Sequence, residues 1–184
     1  MSELQLLTWI PLVPLLATIG IVATGKSPNI REGVSLIAGL VLFWMVTTLG
    51  TLVSWDSSAT LVLAEPLPGL TLAFNLEPLG LLFALVASFL WPVTTLYAVG
   101  YMRAHHEKNQ TRFYAAFSVS IAAVMGIALS ANMLTLFVFY EILTLSTYPL
   151  VTHAGNDKAR KAGRVYLGIL MGTSVGFLLL AMIW

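Results

Sequence analysis

The chain has 184 residues, 58% hydrophobic and 9% charged, with a mean hydropathy of +0.89. Soluble domains carry about 25% charged residues, so the composition excludes a globular soluble domain and points to an integral membrane protein. Cysteine is absent, which excludes disulfides, thiol catalysis and thiolate clusters.

Hydropathy predicts six spans in chain order, at residues 5–24, 33–53, 78–102, 113–129, 132–151 and 165–184. The N-terminus lacks a basic n-region and an evident cleavage site, so the first segment reads as a retained span rather than a signal peptide. Pro11 and Pro14 lie early in that span. Pro92 lies inside the third, where a kink is expected. The third span is the longest, so tilt or an interfacial extension is expected. Spans four and five meet at a tight connection, Ser130–Ala131.

Between spans two and three the sequence is partly apolar. Two β-prone runs, residues 60–64 and 71–76, flank a Pro/Gly turn at 65–69. They predict a small hairpin on the membrane surface; an ordered irregular loop is the alternative.

The basic residues set a topology. Lys26 and Arg31 lie between spans one and two. Arg103, Lys108 and Arg112 lie between three and four, and Lys158, Arg160, Lys161 and Arg164 follow span five. If the spans alternate, all of them fall on one side, the cytoplasmic side by the positive-inside rule. The N-terminus, the 54–77 connection and the C-terminus are then external. Those segments carry Glu3, Asp56, Glu65 and Glu77 and no Lys or Arg. The expected fold is an all-α integral membrane protein of about six transmembrane helices, N-terminus external, with a small external β-hairpin between helices two and three.

The fifth span holds a carboxylate, Glu141, inside "FVFYEILTLS". A charge at mid-bilayer costs about 2.5–3.5 kcal/mol on insertion scales. At about 100° per residue, Thr144, Tyr148 and Thr152 share its face toward the basic side. In the other direction Ser130 falls on the same stripe, with Leu134 and Phe137 between. Such a stripe should face protein or a hydrated cavity, not lipid. Two readings stand. Glu141 ties helices together, or it is an ion-pathway carboxylate that binds and releases a proton. No Lys or Arg lies within a predicted span, so the chain holds at most half of a charge pair.

Other features are weaker. Gly168, Gly172 and Gly176 form a tandem G-x-x-x-G that lets another helix approach closely, within the chain or from another subunit. Thr173 and Ser174 beside it can hydrogen-bond across. His153 stands at the basic end of the Glu141 helix, and imidazole is the side chain type best suited to pass protons. It is a candidate proton-entry residue, or simply an interfacial polar group. His105, His106 and His153 are a poor set for a metal. No nucleotide, flavin, haem or hydrolase motif appears, so no cofactor is expected, and the short basic loops do not suggest nucleic acid.

"LEPLG" before span three, "YAVGYM" at its end and "ANMLTLFVFYEILTLSTYPLV" in span five resemble the N-terminal part of the antiporter-like membrane subunits. That family is shared by respiratory complex I, membrane-bound hydrogenases and Mrp-type sodium/proton antiporters. "KARKAGRVYLGILMGTSVGFLLLA" is most similar to the D-type Mrp subunit and its proton-conducting relatives. The strongest element is Asn132, Phe137 and the aromatic–Glu pair Tyr140–Glu141. Trp is commoner before that Glu.

The resemblance implies that Glu141 pairs with a Lys on a later, broken helix, and that changes in this pairing move protons along a mid-membrane axis. By residue matching only Glu141 carries over; helical spacing adds Thr144 and Tyr148, and position at the basic end adds His153, as candidate relay residues. Residues 1–112 would be preliminary helices with the external loop, and 113–184 the first part of a translocating repeat. Family members are usually more than twice as long, so the Lys is expected from another chain, or the sequence is an incomplete fragment. The implied partners are other membrane subunits, the lipid bilayer, and protons or Na⁺, in a bacterial cytoplasmic membrane. Any enzyme role, such as NADH:quinone oxidoreduction, would belong to the assembly, with redox centres on other subunits. A non-transporting structural or assembly component is the alternative from another class.

Overall fold

The computed structural model describes residues 1–53 and 59–183. Asp56 and Trp184, placed by the sequence in the external connection and at the end of span six, lie outside the described residues. Six helices are long and apolar enough to cross a membrane. They are α1 (Glu3–Ala23), α2 (Pro28–Leu52), α3 (Pro78–Ala104), α4 (Gln110–Ala128), α5 (Met133–Val151) and α6 (Asp157–Thr173). α6 runs on through a π-helical segment, Ser174–Leu179, into a last turn, α7 (Leu180–Ile183).

The six expected spans are therefore present, but four helices begin earlier than hydropathy placed them, two of them by five residues or more. α2 starts at Pro28, not 33, and α6 at Asp157, not 165. Hydropathy marks only the oily part of a helix. Pro28 stands in the first turn, where its missing N–H costs nothing. Asn156 caps α6 by accepting from the Ala159 amide at 2.7 Å. α1 is capped reciprocally: Ser2 Oγ accepts from the Gln5 amide, and Gln5 Oε1 accepts from the Ser2 amide.

α1 packs on α2 and α4, α2 on α3, and α4 on α5, while α6 touches chiefly α5. Leu6, Leu7, Ile10, Leu42, Trp91 and Met125 are fully buried in the shared core. In lipid the hydrophobic effect does not drive one helix onto another, so close packing and interhelical hydrogen bonds must. Such bonds are present. Ser118 Oγ donates to the Pro14 carbonyl at 2.7 Å, joining α4 to α1. The Ser35 and Thr95 hydroxyls, 3.3 Å apart, join α2 to α3. At Gly126 an added Cβ would sit 2.1 Å from the Phe139 ring, so only glycine lets α5 lie this close to α4.

The expected hairpin forms, with β1 (Leu61–Leu67) antiparallel to β2 (Leu70–Phe74). Its turn is tighter than expected and is closed at Gly69, whose φ of +84° suits glycine. Nor does it only lie on a surface; it is laced to the α4–α5 connection. The Asn75 amide donates to the Leu129 carbonyl at 2.8 Å, and the Ala131 amide to the Ala73 carbonyl at 2.9 Å. Asn132 Nδ2 donates to the Thr71 carbonyl at 2.8 Å. The Ala73 amide donates to Thr135 Oγ1 at 2.9 Å. Phe74 is buried against the Phe139 ring. The α1 start, the α3 start and the α4–α5 connection share this hairpin end. All the basic residues stand in turns or terminal helix turns at the opposite end.

Candidate functional site

α5 begins where Asn132 caps it. The Asn132 Oδ1 accepts from the Thr135 amide at 2.9 Å while its amide group holds β2. This gives the Asn of the span-five motif a physical reason: one side chain fixes both the helix start and the hairpin. One face of α5 meets α4 through Phe139 and through the Ser146 hydroxyl, 2.9 Å from that of Ser120. The opposite face carries Glu141, Thr144, Tyr148 and Thr152.

α6 lies over that face. At the basic end an added Cβ on Gly163 would be 2.3 Å from Thr152 Cγ2 and 3.1 Å from the Tyr148 ring. About three turns further along both helices, Ser174 Oγ donates to Glu141 Oε1. Ser174 is buried, at 5% exposure, and opens the π-helical segment. π-turns widen a helix locally and are frequent at functional sites. The second carboxyl oxygen, Glu141 Oε2, is buried without a hydrogen-bond partner among the described residues. Leaving such an atom unpaired costs about 1–3 kcal/mol, more if charged. The stripe thus faces protein, as its spacing required. Thr144 is buried beneath it, and Thr152 Oγ1 donates to the Tyr148 carbonyl at 2.9 Å.

The remaining sequence candidates divide. His153 stands off the stripe, its Nε2 3.8 Å from Glu107 Oε2 and its ring edge-on to Phe113. Gly168 and Gly172 are exposed, and nothing lies within 4 Å of a Cβ built at either or at Gly176. The close α5–α6 contact uses Gly163 instead, a residue the G-x-x-x-G reading passed over. His105 Nδ1 donates to the Tyr101 carbonyl at 2.9 Å and the ring stacks on that of Tyr101. Among the described residues no three His, Asp or Glu groups gather as a metal set.

Sequence reasoning missed a second charged centre. Arg31 and Glu32, treated as loop residues or passed over, are 3% and 4% exposed in the first turns of α2. Glu32 accepts from Arg103 of α3 and pairs with Arg31 at 3.4 Å. Arg31 also donates to Gln110 Oε1 at 2.7 Å and to Thr111 Oγ1 at 3.1 Å on α4, and lies over the Tyr114 ring. The adjacent Arg–Glu pair before an oily run was the only local signal, since its partners are some eighty positions away.

Fold and site together define a bundle of six helices long and apolar enough to cross a membrane, with a carboxylate on the face between two of them. Residues 130–184 match the family described as NADH:quinone oxidoreductase/Mrp antiporter, transmembrane. The Na⁺/H⁺ antiporter subunit A1 of Staphylococcus aureus strain bovine RF122 / ET3-1 is 26% identical over 113 residues, which is 61% of this chain and 14% of that subunit. The subunit A1 of strain JH9 matches to the same extent. Among solved structures, a chain of the membrane-bound sulfane sulfur reductase, an archaeal respiratory membrane complex, superposes with a TM-score of 0.74. It is 16% identical and covers 90% of this chain and 34% of its own length. The chain therefore spans a small part of the curated relatives it matches. The resemblance read from span five holds: the chain is similar to antiporter-like, complex I-type membrane subunits.

Proposed function

We propose that this chain takes part in proton or cation/proton translocation, with Glu141 as the proton-exchanging group. The observation that carries the reading is the half-satisfied carboxyl. One oxygen is held by Ser174 at a π-turn, and the other is buried and unpaired. A carboxyl so placed can gain a proton or a cationic partner at that second oxygen without breaking the first contact. Thr144 and Tyr148 continue the polar track toward the basic end, where the His153–Glu107 pair offers an entry group.

Along α6 the basic residues stop at Arg164, ten positions before the Ser174 that meets Glu141, so the cation facing Glu141 comes from outside residues 1–184. The assembly is an Mrp-type antiporter, with this chain as its D-type subunit portion, or a complex I-like NADH:quinone oxidoreductase. The basic end is cytoplasmic and the hairpin end external, in a bacterial cytoplasmic membrane, by the positive-inside rule. Residues 113–184 then form the start of a translocating repeat and residues 1–112 its preceding scaffold.

The test is Glu141→Gln in the native assembly, reading ΔpH-driven flux in everted vesicles under H⁺ and Na⁺ gradients. Flux should vanish while subunit recovery stays near normal. Normal flux in that variant removes the proposal. A second reading, an assembly component without transport, is favoured by the open Gly168–Gly172 face. It is supported if the same substitution costs assembly rather than flux.

A further inference from the structure

We propose that the basic end of α4, α5 and α6 holds the phosphate of an anionic phospholipid headgroup. A cavity of about 650 Å³ opens there. Arg112 enters it from the first turn of α4, and Arg160, Lys161 and Arg164 enter from the first three turns of α6. Tyr148 and Thr152 also line it. None of the four cations forms an ion pair within 4.0 Å among the described residues. Asp157 is the only acid lining the cavity.

The four cations are exposed to solvent, so they are not strained as they stand; gathered on one volume, they make it attractive to an anion. Arg112 and Arg160 stand in the first turns of α4 and α6, where the partial positive charge of the backbone already repels cations and attracts anions. Elsewhere the cations have acidic partners: buried Arg31 and half-exposed Arg103 share Glu32. A phosphate supplies the missing charge, and three guanidinium groups can grip its oxygens in forked pairs.

The source of the phosphate follows from what adjoins the cavity. An apolar groove meets it at Lys161 and runs along Ala162, Val165, Tyr166 and Ile169 of α6. A free phosphate has no use for that groove; an acyl chain does. On the membrane placement proposed above, the cavity lies at headgroup level and the groove points into the hydrocarbon. Basic pockets between helices on the cytoplasmic side suit such headgroups. The inference rests on that placement and not on the role of Glu141.

The experiment is native mass spectrometry of the gently solubilised assembly, titrated with phosphatidylglycerol, phosphatidylcholine or inorganic phosphate. The unaltered protein should retain phosphatidylglycerol in preference to phosphatidylcholine. The double substitution Arg160→Gln with Arg164→Gln should weaken that retention about thirtyfold, as two surface-basic contributions imply. Arg112→Gln, on a different helix, should weaken it several-fold and serves if the double variant fails to fold. Phosphatidylglycerol retention unchanged in both variants overturns the site. Equal loss in Lys26→Gln with Lys108→Gln, basic residues of the same end outside the cavity, also overturns it, as a diffuse surface charge. Displacement of the lipid by millimolar inorganic phosphate overturns the lipid assignment. Because the readout is bound lipid, failure here leaves the flux test of Glu141 untouched.

Discussion

α1 to α4 and α5 to α6 are made of similar residues and packed to different ends. Half of the apolar stretch of α4 is buried within the chain, against 11% of the stretches of α5 and α6. The first group closes on itself. Its interior is filled with Leu, Ile, Met and Trp side chains, its hydroxyls reach carbonyls of neighbouring helices, and its buried charges are shared among three helices. The second group leaves a carboxyl oxygen unpaired, a glycine face open and Arg160, Lys161 and Arg164 exposed at its basic end. The difference teaches that the buried polar groups of the first helices are largely satisfied among themselves, while α5 and α6 still have polar surfaces to satisfy.

Four substitutions test that division, taken from the largest effect on stability downward. Glu32→Gln strands Arg31 inside the closed part, and breaking a buried pair from one side costs about 3–5 kcal/mol. Arg103 is half in solvent, which puts the expected loss near the low end; thermal unfolding in detergent should show it as a large fall in midpoint. Gly126→Ala drives a Cβ into the Phe139 ring and should cost about 1–3 kcal/mol by overpacking. It should also part α5 from α4, which a cysteine cross-link between positions 120 and 146 would report as lost. Asn132→Ala removes a helix cap at about 1 kcal/mol and unlaces β2, so amide exchange in residues 71–75 should quicken. Gly168→Ala should change unfolding by no more than about 0.5 kcal/mol, because nothing lies near that position in the chain. If the open face meets another helix, the same change lowers recovery of the assembly. A large stability loss at Gly168, or none at Glu32, breaks the comparison.

Much of the scaffold was legible. Long apolar runs fix six helices because lipid leaves the backbone no other way to satisfy itself. The hairpin was legible from two β-prone runs around Pro68–Gly69. What hydropathy could not see is where polar helix turns continue beyond the oily stretch, as at Pro28 and Asp157. Glu141 was legible because a lone acid in a span has a cost that needs an explanation, and helical spacing placed Thr144 and Tyr148 on its face. The buried Arg31–Glu32–Arg103 centre was not, since its members meet only after α2, α3 and α4 are packed. The role of Gly163 was hidden likewise, as its neighbours Thr152 and Tyr148 are across a turn. Ser174 was named as able to bond across, but the π-helical segment it opens has no signature in residues 174–179.

That segment has a consequence for whatever meets the sixth helix from outside. Glycines spaced by four make a straight groove only while the helix keeps one phase. The wider turn from Ser174 to Leu179 acts as a dislocation in that lattice. Gly168 and Gly172 lie before it and Gly176 within it, and Gly176 is partly covered where the first two are exposed. A neighbouring helix seated along the first two glycines cannot continue in register past the third. It must bend, end or change partner at the depth where Ser174 meets Glu141.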